Sequence, residues 1–473
     1  MLEVTYFKGG DLMNIANIAT RNISNVEFKD KSGTLFELNK VVSFKPFPAG
    51  SIVFGGHFGD EGKGKLVDIL AEQYKQLGYK VLSIRGQGSG NAGHTVKVNG
   101  VKYDFHYLTS AGLAADKMIL GPGMLIDPIR VLEEAKKLPE DKREIIMIAE
   151  RASIVSNLER AMDSWCENKR SLSGEMTIGT TRSGVGPGAG IRGFREHVTF
   201  ADALACKTIE EFKHLFLKNF LFPEEVLEVF SDEYCKDLWD AIHELNVVDS
   251  CIEISKCRSD GDWAVLFEVS QAVALDPLFG NSGHFTTSTP CTNIGGVAFA
   301  GLTMDDFPDG SIMVLKAYAS KVGSGPFNTE FAPDEEKISD FIHDVVGEVG
   351  VTSGRKRLLG WFDGVAVRYA IGLTNPKICI NCMDVIADLT SVCDDIKICF
   401  AYKNIHTGKV TYNWPYHLKD FKPLYITLNI KGKSKKQIIS EYTKLLEMVI
   451  GKPISGYGTG PSREDFVFCE KVL

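Results

Sequence analysis

A repeating order of short apolar runs, glycine-rich loops and amphipathic helices constrains the fold of this chain more than any other feature. Ser51–Phe54 is an apolar run followed by the glycine-rich segment Gly55–Lys65, after which apolar residues recur at helical spacing. Similar runs follow at Lys80–Ile84, Glu144–Ile148, Ala264–Phe267, Ile312–Leu315 and Lys377–Ile380. Strands separated by helices predict an α/β fold with a largely parallel central sheet, helices on both faces and phosphate-binding loops at strand ends.

The first fifty residues have a different pattern. Asn25–Lys29 and Thr34–Leu38 alternate weakly and flank a Lys31-Ser32-Gly33 turn signal, which indicates a small hairpin. Pro46–Gly50 is rich in turn residues and is typical of a linker. We therefore predict an N-terminal extension over residues 1–50, to which the sequence assigns no role, and one main domain over residues 51–473.

The composition excludes several classes of protein. The 473 residues are 44% hydrophobic and 24% charged, as in globular proteins, and the net charge of −8 argues against a nucleic-acid partner. The sequence has neither an apolar run of about 18 residues nor a secretory or transit pattern, so we expect no membrane association. Eleven cysteines without disulfide spacing indicate reduced thiols and a cytoplasmic location.

The segment Gly59–Lys65 has the composition of a phosphate-binding loop. Glycines let backbone N–H groups approach an anion, the start of a helix favours negative charge, and Lys63 adds a cation. Leu66 stands where an ordinary P-loop has the Ser or Thr that holds magnesium. Asp60 would repel phosphate unless a metal or a proton-transfer role explains it. A glycine-rich turn with surface lysines is the simpler alternative.

A second glycine-rich loop, Gly88–Thr95, follows the next predicted strand. It ends in His94, the side chain best suited to transfer a proton near neutral pH. A lone histidine is more often structural, but its place one crossover after the first loop favours a functional role.

These two loops resemble those of the adenylosuccinate synthetase family of purine-nucleotide ligases. Further motifs match in the family's order, from about Ser51 to the C-terminus. They are Gly55–Lys65, Asn91–Thr95, Ile178–Thr181, Val322–Phe327, Thr352–Arg357 with Gly360-Trp361, and Gly458–Pro461. The pair of motifs GDEGKGK and NAGHT is highly specific, and it assigns the catalytic function to residues 51–473.

The resemblance implies a GTP-dependent reaction that joins L-aspartate to the 6-oxo position of IMP through a 6-phosphoryl intermediate. Asp60 would withdraw the purine N1 proton and, with the Gly93 carbonyl, bind Mg²⁺. His94 would assist phosphoryl transfer, and Lys63 would neutralise phosphate charge.

The resemblance also implies substrate-binding residues. The positions that match IMP contacts are Asn91, Thr181, Arg192, Gln271 and Val322, with Arg192 reaching the site of a second subunit in a homodimer. Those that match aspartate contacts are Thr352, Ser353, Arg355 and Arg357, since guanidinium groups pair bidentately with carboxylates. Those that match GTP contacts are Gly59, Gly62, Lys63, Gly64, Thr95, Asp384, Gly458 and Gly460, with Asp384 reading guanine.

Some positions depart from the family pattern and keep alternatives open. Cys382 replaces a lysine, Gly458 a serine and Gly90 a bulkier polar residue, and Asp276–Phe285 differs from the usual segment near the substrate. A phage-type relative uses dGMP instead of IMP, although its catalytic aspartate is often altered. A catalytically inactive GTP-binding regulatory protein is another alternative, but the residues it would have lost are present. A P-loop GTPase is disfavoured because Leu66 cannot bind magnesium and no N-K-x-D motif occurs.

Overall fold

The computed structural model describes the backbone of residues 27–29 and 35–37, and residues 46–98, 100–281, 283–348 and 356–469 in full. The strands are β1 (Glu27–Lys29), β2 (Leu35–Glu37), β3 (Ala49–Gly55), β4 (Lys80–Gly88), β5 (His94–Val98), β6 (Val101–Phe105), β7 (Lys117–Ile126), β8 (Ile146–Ala149), β9 (Ser153–Ile154), β10 (Val247–Val248), β11 (Trp263–Ala272), β12 (Gly310–Lys316), β13 (Ala319–Lys321), β14 (Leu358–Gly360), β15 (Phe362–Asp363), β16 (Lys377–Asn381), β17 (Asp395–Asn404), β18 (Val410–Thr411), β19 (Phe421–Asn429), β20 (Gly456–Gly458) and β21 (Phe466–Phe468).

The helices cover both faces of the main sheet. They are α1 (Lys63–Gln76), α2 (Pro128–Ala135), α3 (Glu140–Arg143), α4 (Asn157–Leu172), α5 (Val185–Phe194), α6 (Phe200–Ala205), α7 (Ile209–Leu217), α8 (Glu224–Leu227), α9 (Asp232–Glu244), α10 (Ser250–Asp260), α11 (Asn293–Ala298), α12 (Glu336–Val346), α13 (Gly364–Thr374), α14 (Met383–Asp388) and α15 (Lys435–Ile450). Among the described residues, no helix is both long and apolar enough to cross a membrane.

The central sheet has the strand order β10-β8-β7-β4-β11-β3-β12-β16-β20-β21, with β9 paired to β7. Neighbouring strands along this order are parallel except for the terminal pair β20–β21. The predicted α/β fold with a largely parallel sheet is therefore confirmed. Because parallel strands end at one edge, the loops after β3, β4, β11, β12 and β16 meet there.

Strand β3 lies at the centre of the sheet, and all of its residues are buried. Ile52 and Phe54 belong to the core on one face, and Val53 packs on the other face with Leu66 and Leu70 of α1. Burial on both faces explains why the strand is a continuous apolar run rather than an alternating one. The core on the α1 face holds the start of that helix against the sheet.

The prediction of a linker over Pro46–Gly50 is partly wrong. Ala49 and Gly50 already pair with Ala264 and Val265 of β11, so β3 begins two residues before the predicted strand. Phe47 is buried in the core as well. Strand pairing over long sequence distance set this boundary, and the local turn signal could not reveal it. The division of the chain at residue 50 stays a prediction.

The N-terminal hairpin is confirmed in its backbone pairing. Strands β1 and β2 are antiparallel, with Glu27 opposite Glu37 and Lys29 opposite Leu35. The predicted turn at Lys31-Ser32-Gly33 lies outside the described residues. All eleven cysteines lie in the described part of the chain and have free thiols, in accord with the expected reduced state.

Leu70 in α1 and Leu77, the residue directly after α1, provide a matched test of this packing. Leu70 is fully buried, whereas Leu77 at the end of α1 is 62% exposed. We expect Leu70→Ala to lower the free energy of unfolding by about 2–5 kcal/mol because it leaves a cavity in the core. Leu77→Ala should change it by less than about 0.5 kcal/mol. Urea and thermal denaturation of both variants measure this, and equal losses would contradict the described packing.

Candidate active site

A cavity of about 1670 Å³ opens at the carboxyl edge of the central sheet. Among the predicted site residues, its lining includes Gly59, Asp60, Gly62, Lys63, Gly64, Asn91, Gly93, His94, Thr95, Thr181, Gln271, Val322, Arg357, Asp384 and Gly460. Arg192 and Gly458 do not line it, and Thr352, Ser353 and Arg355 lie outside the described residues. The fold therefore brings residues far apart in the sequence to one cavity.

The phosphate-loop motif is organised around the buried carboxylate of Glu61. One oxygen accepts hydrogen bonds from the backbone N–H groups of His57 (3.1 Å) and Gly59 (2.9 Å), and the other pairs with Lys63 Nζ at 2.9 Å. Gly55 is required here, because a Cβ atom would lie 2.5 Å from the Glu61 carboxylate. Burial alone would raise the pKa of Glu61, but the Lys63 ammonium and these hydrogen bonds lower it. Lys63 thus lines the cavity as part of an ion pair.

Asp60 projects from a backbone conformation that few side chains adopt. Its φ is +57°, in the left-handed region, between Gly59 at +91° and Gly62 at +83°. The carboxylate is 28% exposed, and its Oδ2 lies 2.9 Å from Arg357 Nη2. Asp60, which is predicted to transfer a proton, is therefore in direct contact with Arg357, which is predicted to bind substrate carboxylates.

Arg357 is held from its other side by Glu348, which is completely buried. Glu348 pairs with Arg357 Nη1 and with Lys316 Nζ (2.7 Å), and it accepts a hydrogen bond from the Tyr318 hydroxyl. Burial alone would raise the pKa of Glu348, but the Lys316 and Arg357 charges lower it to about 2. Glu348 is consequently an anion that fixes two cations at the wall of the cavity.

His94 is positioned by Glu268, a residue that the sequence analysis missed. His94 Nδ1 lies 2.6 Å from Glu268 Oε1, and Glu268 also accepts hydrogen bonds from the Ser110 backbone and hydroxyl, each at 2.8 Å. Burial alone would raise the pKa of Glu268, but His94 and the Arg85 guanidinium lower it to about 2. Because Nδ1–H donates to this carboxylate, Nε2 is the nitrogen left for other chemistry, and it has no hydrogen-bond partner among the described residues.

Asn91 and Gln271 meet on the same wall of the cavity. Gln271 Nε2 donates to Asn91 Oδ1 over 3.2 Å, and the Gln271 backbone has a φ of +59° where the ladder of β11 is interrupted. The neighbouring Gly90 departs from the family pattern because a Cβ there would lie 2.6 Å from the Tyr107 ring. The aromatic ring thus fills the space of the missing side chain.

The 178–181 motif is fixed by a buried acid on helix α4. Glu167 accepts hydrogen bonds from the backbone N–H groups of Ile178 (3.2 Å) and Gly179 (2.9 Å). Thr181 donates to the Ser183 hydroxyl over 3.0 Å and lines the cavity. Arg192 lies outside the cavity, where it donates to the Gly123 carbonyl over 2.8 Å and stacks over Phe299.

Asp384 lines the cavity beside the cation of Lys65. Lys65 Nζ donates to the Gly460 carbonyl over 2.7 Å. Burial raises the pKa of Asp384, and the Lys65 charge opposes that shift.

Asn381, at the end of β16, connects that strand to the phosphate loop. Its side-chain amide donates hydrogen bonds to the carbonyl oxygens of Glu61 and Gly62. A Cβ on Gly458 would lie 2.5 Å from Asn381 Oδ1, which explains the glycine where the family has serine.

Two lysines on the hairpin β5–β6 also line the cavity and were not predicted. Lys97 and Lys102 are directly opposite each other in the ladder, on the same face as Thr95 and Asp104. Alternation along β5 gives the signal, since Val96 lies on the buried face. The position of the hairpin over the cavity, however, becomes visible only in the fold.

Glu348 provides a test of the buried charge network. We expect Glu348→Gln to lower the free energy of unfolding by about 3–5 kcal/mol at pH 7, because Lys316 and Arg357 lose their common counter-ion. The folded-state pKa is lowered, so the contribution is complete above the ordinary value of 4.5 and is lost as the pH falls toward 2. Denaturation between pH 3 and 8 measures this, with the exposed Glu336→Gln as control. A difference independent of pH would contradict this network.

Comparison with known proteins identifies the family and the fold of this chain. A sequence profile of the adenylosuccinate synthetase family matches residues 52–467. The fully ligated adenylosuccinate synthetase from Plasmodium falciparum superimposes with a TM-score of 0.78 at 25% identity, over 89% of this chain and 99% of that one. The succinoaminodeoxyadenylate synthetase of cyanophage S-2L, bound to dGMP and to dATP as an energy donor, shares the fold, with a TM-score of 0.56 at 17% identity over 90% and 96% of the two chains. The chain belongs to the adenylosuccinate synthetase family of ligases.

Proposed function

We propose that this protein joins L-aspartate to the 6-oxo position of IMP, using GTP and forming adenylosuccinate, GDP and phosphate. The observation that carries the proposal is the convergence of three chemical groups on one cavity. These are the loop Gly59–Lys65 at the N-terminus of α1, the pair His94–Glu268, and Arg357 with its contact to Asp60. The reaction needs a phosphate site, a proton-transfer group and a carboxylate-binding cation in reach of one another.

Asp60 and His94 are proposed to make the oxygen of the 6-oxo group a better nucleophile and then a better leaving group. Asp60 accepts the N1 proton, so that the electrons move to O6, and O6 takes the γ-phosphoryl group of GTP. The aspartate amine then attacks C6, and O6 leaves as phosphate. His94 Nε2 is suited to stabilise charge on O6, since Glu268 fixes the ring through Nδ1 and holds Nε2 free of protein partners among the described residues.

Mg²⁺ fits the donors at this site. The carboxylate of Asp60 is partly exposed, and Gly93 lines the same cavity, so both can offer oxygen ligands. Among the described residues, no cluster of three or more His, Cys, Asp and Glu side chains is arranged to hold a metal ion. Mg²⁺ is commonly held by one or two protein oxygens, with phosphate and water completing its coordination. When bound, the ion would neutralise phosphate charge.

Arg357 is proposed to bind a carboxylate of L-aspartate, together with Thr352, Ser353 and Arg355. Its guanidinium already pairs with two carboxylates, through Nη2 with Asp60 and through Nη1 with Glu348, and a guanidinium is suited to recognise the carboxylate of a substrate. The nucleotide acceptor is proposed to contact Asn91, Gln271, Thr181 and Val322, all of which line the cavity.

A homodimer in the cytoplasm is part of the same proposal. Arg192 does not line the cavity of its own chain; it lies on helix α5, two residues before Phe194, which has 64% of its side chain exposed. Aromatic residues and arginine are enriched at protein interfaces. Arg192 would then contact the nucleotide of the neighbouring subunit.

The first prediction of this proposal concerns Asp60. We expect Asp60→Asn to lower kcat about 10²–10⁴-fold, because the amide cannot accept the N1 proton. Adenylosuccinate formation from IMP, GTP, Mg²⁺ and aspartate measures it, and parallel reactions with dGMP identify the acceptor. The exposed Asp334→Asn is the control and should keep its rate. Near-normal turnover by Asp60→Asn would refute its role.

The second prediction concerns the donor nucleotide. Asp384 is proposed to accept hydrogen bonds from guanine, so GTP should be preferred over ATP. Asp384→Asn should lower kcat/KM for GTP about 10- to 150-fold, the cost of losing a hydrogen bond to a charged group. Asp388→Asn on the same helix is the matched control, since Asp388 pairs with Lys435 outside the cavity. Equal use of GTP and ATP by the unmodified protein would contradict the assignment.

A further inference from the structure

A buried cation lies behind the wall of the cavity that carries Val322. Lys321 ends β13 and is 1% exposed. Its Nζ donates to the carbonyl oxygens of Ser324 at 2.8 Å and Pro326 at 3.2 Å. Among the described residues it forms no ion pair within 4 Å. Burying a lysine ammonium without a close carboxylate costs folding free energy, which indicates that Lys321 has a specific role.

The ammonium of Lys321 also faces two aromatic rings from other parts of the chain. The Phe58 ring centroid is 5.7 Å away and the Phe285 centroid is 6.0 Å away, both within the range of cation–π attraction. Phe58 directly precedes the phosphate-loop motif. Phe285 belongs to the Asp276–Phe285 segment that departs from the family pattern. Lys321 therefore contacts three segments that line the cavity: the loop that begins at Val322, Phe58 and Phe285.

The loop Val322–Pro326, whose carbonyl oxygens Lys321 binds, packs closely against aromatic rings. Gly325 has a φ of +99°, and a Cβ there would lie 2.5 Å from the Phe285 ring. Phe327, directly after the loop, packs edge-to-face on Phe58 with the centroids 5.6 Å apart. The ammonium, the two rings and the loop thus form one packed unit behind Val322.

We propose that Lys321 is a positioning residue for the acceptor nucleotide, because it fixes the loop Val322–Pro326 against Phe58 and Phe285. This inference rests on the proposed function, in which Val322 contacts that nucleotide. Lys321 does not touch the substrate. Loss of its charge should leave the loop in several arrangements, so that binding of the acceptor is weakened more than the chemical step.

The protonation of Lys321 gives an independent readout. Burial lowers the pKa of Lys321 to about 8, and the charge of Glu330 partly opposes this shift. Other titratable groups on the elements packed around it are His57 and Asp60 beside Phe58, and His284 beside Phe285. Lys321 is a cation at pH 7 and loses its charge as the pH rises above about 8. The KM for the acceptor should therefore rise between pH 7 and 9.

The test compares Lys321→Met, Lys321→Arg and the matched control Lys142→Met, since Lys142 also donates to a backbone carbonyl but does not line the cavity. We expect Lys321→Met to raise the KM and the calorimetric Kd for IMP about tenfold or more. Its kcat and its KM for GTP should change less than about threefold. Lys321→Arg should restore most of the binding and remove the rise in KM above pH 8, because arginine stays protonated.

Unchanged IMP binding in Lys321→Met, or an equal loss for IMP and GTP, would overturn the positioning role. If that variant fails to fold, Phe285→Leu replaces it, because it removes one ring from the unit and should raise the KM for IMP in the same way. Unaltered IMP binding in that variant counts against the proposal. If the unmodified protein neither binds nor converts IMP, the proposed function fails, whereas normal turnover with unaffected variants refutes only the role of Lys321.

Discussion

The parallel pairing of β3 with β11 on one side and β12 on the other is the constraint on which the rest of the structure depends. It aligns Ile52 with Phe267 and with Ser311, so that all three strands end at the same edge. The phosphate loop follows the end of β3, Gln271 lies near the end of β11, and Lys316 is the last residue of β12. Without this register, the groups of the candidate active site would not face one cavity. The apolar character of β3 on both faces is thus part of what positions the site.

Buried carboxylates fix the positions of the side chains that line the cavity. Glu61, Glu268 and Glu348 are each at most 1% exposed, and each is paired with nitrogen donors. A buried carboxylate is tolerated only when such donors surround it, so each one fixes the positions of its partners. These three acids orient Lys63, His94 and Arg357, the groups proposed to act on the substrates. Stability and function therefore depend on the same interactions here.

The sequence predicted the fold class and many of the residues that line the cavity because their signals are local. Apolar runs, glycine positions and the motifs around Asp60 and His94 are read from neighbouring residues, and the family resemblance added Arg357 and Asp384. The partners of these residues could not be predicted in the same way. Glu268 lies in an apolar run and Glu348 beside a glycine-rich segment, and only tertiary packing brings them to His94 and Arg357. The start of β3 at Ala49 likewise depends on pairing with β11, more than two hundred residues away in the chain.

In the proposed mechanism, O6 of the acceptor is phosphorylated in this cavity before the aspartate amine replaces it. The most direct measurement is the fate of the label when IMP carrying ¹⁸O at position 6 is converted in the presence of GTP, Mg²⁺ and aspartate. Mass spectrometry of the products should find the ¹⁸O in inorganic phosphate, in a one-to-one ratio with adenylosuccinate. Adenylosuccinate formed with the label released to water would contradict the phosphoryl intermediate and the roles proposed for Asp60 and His94.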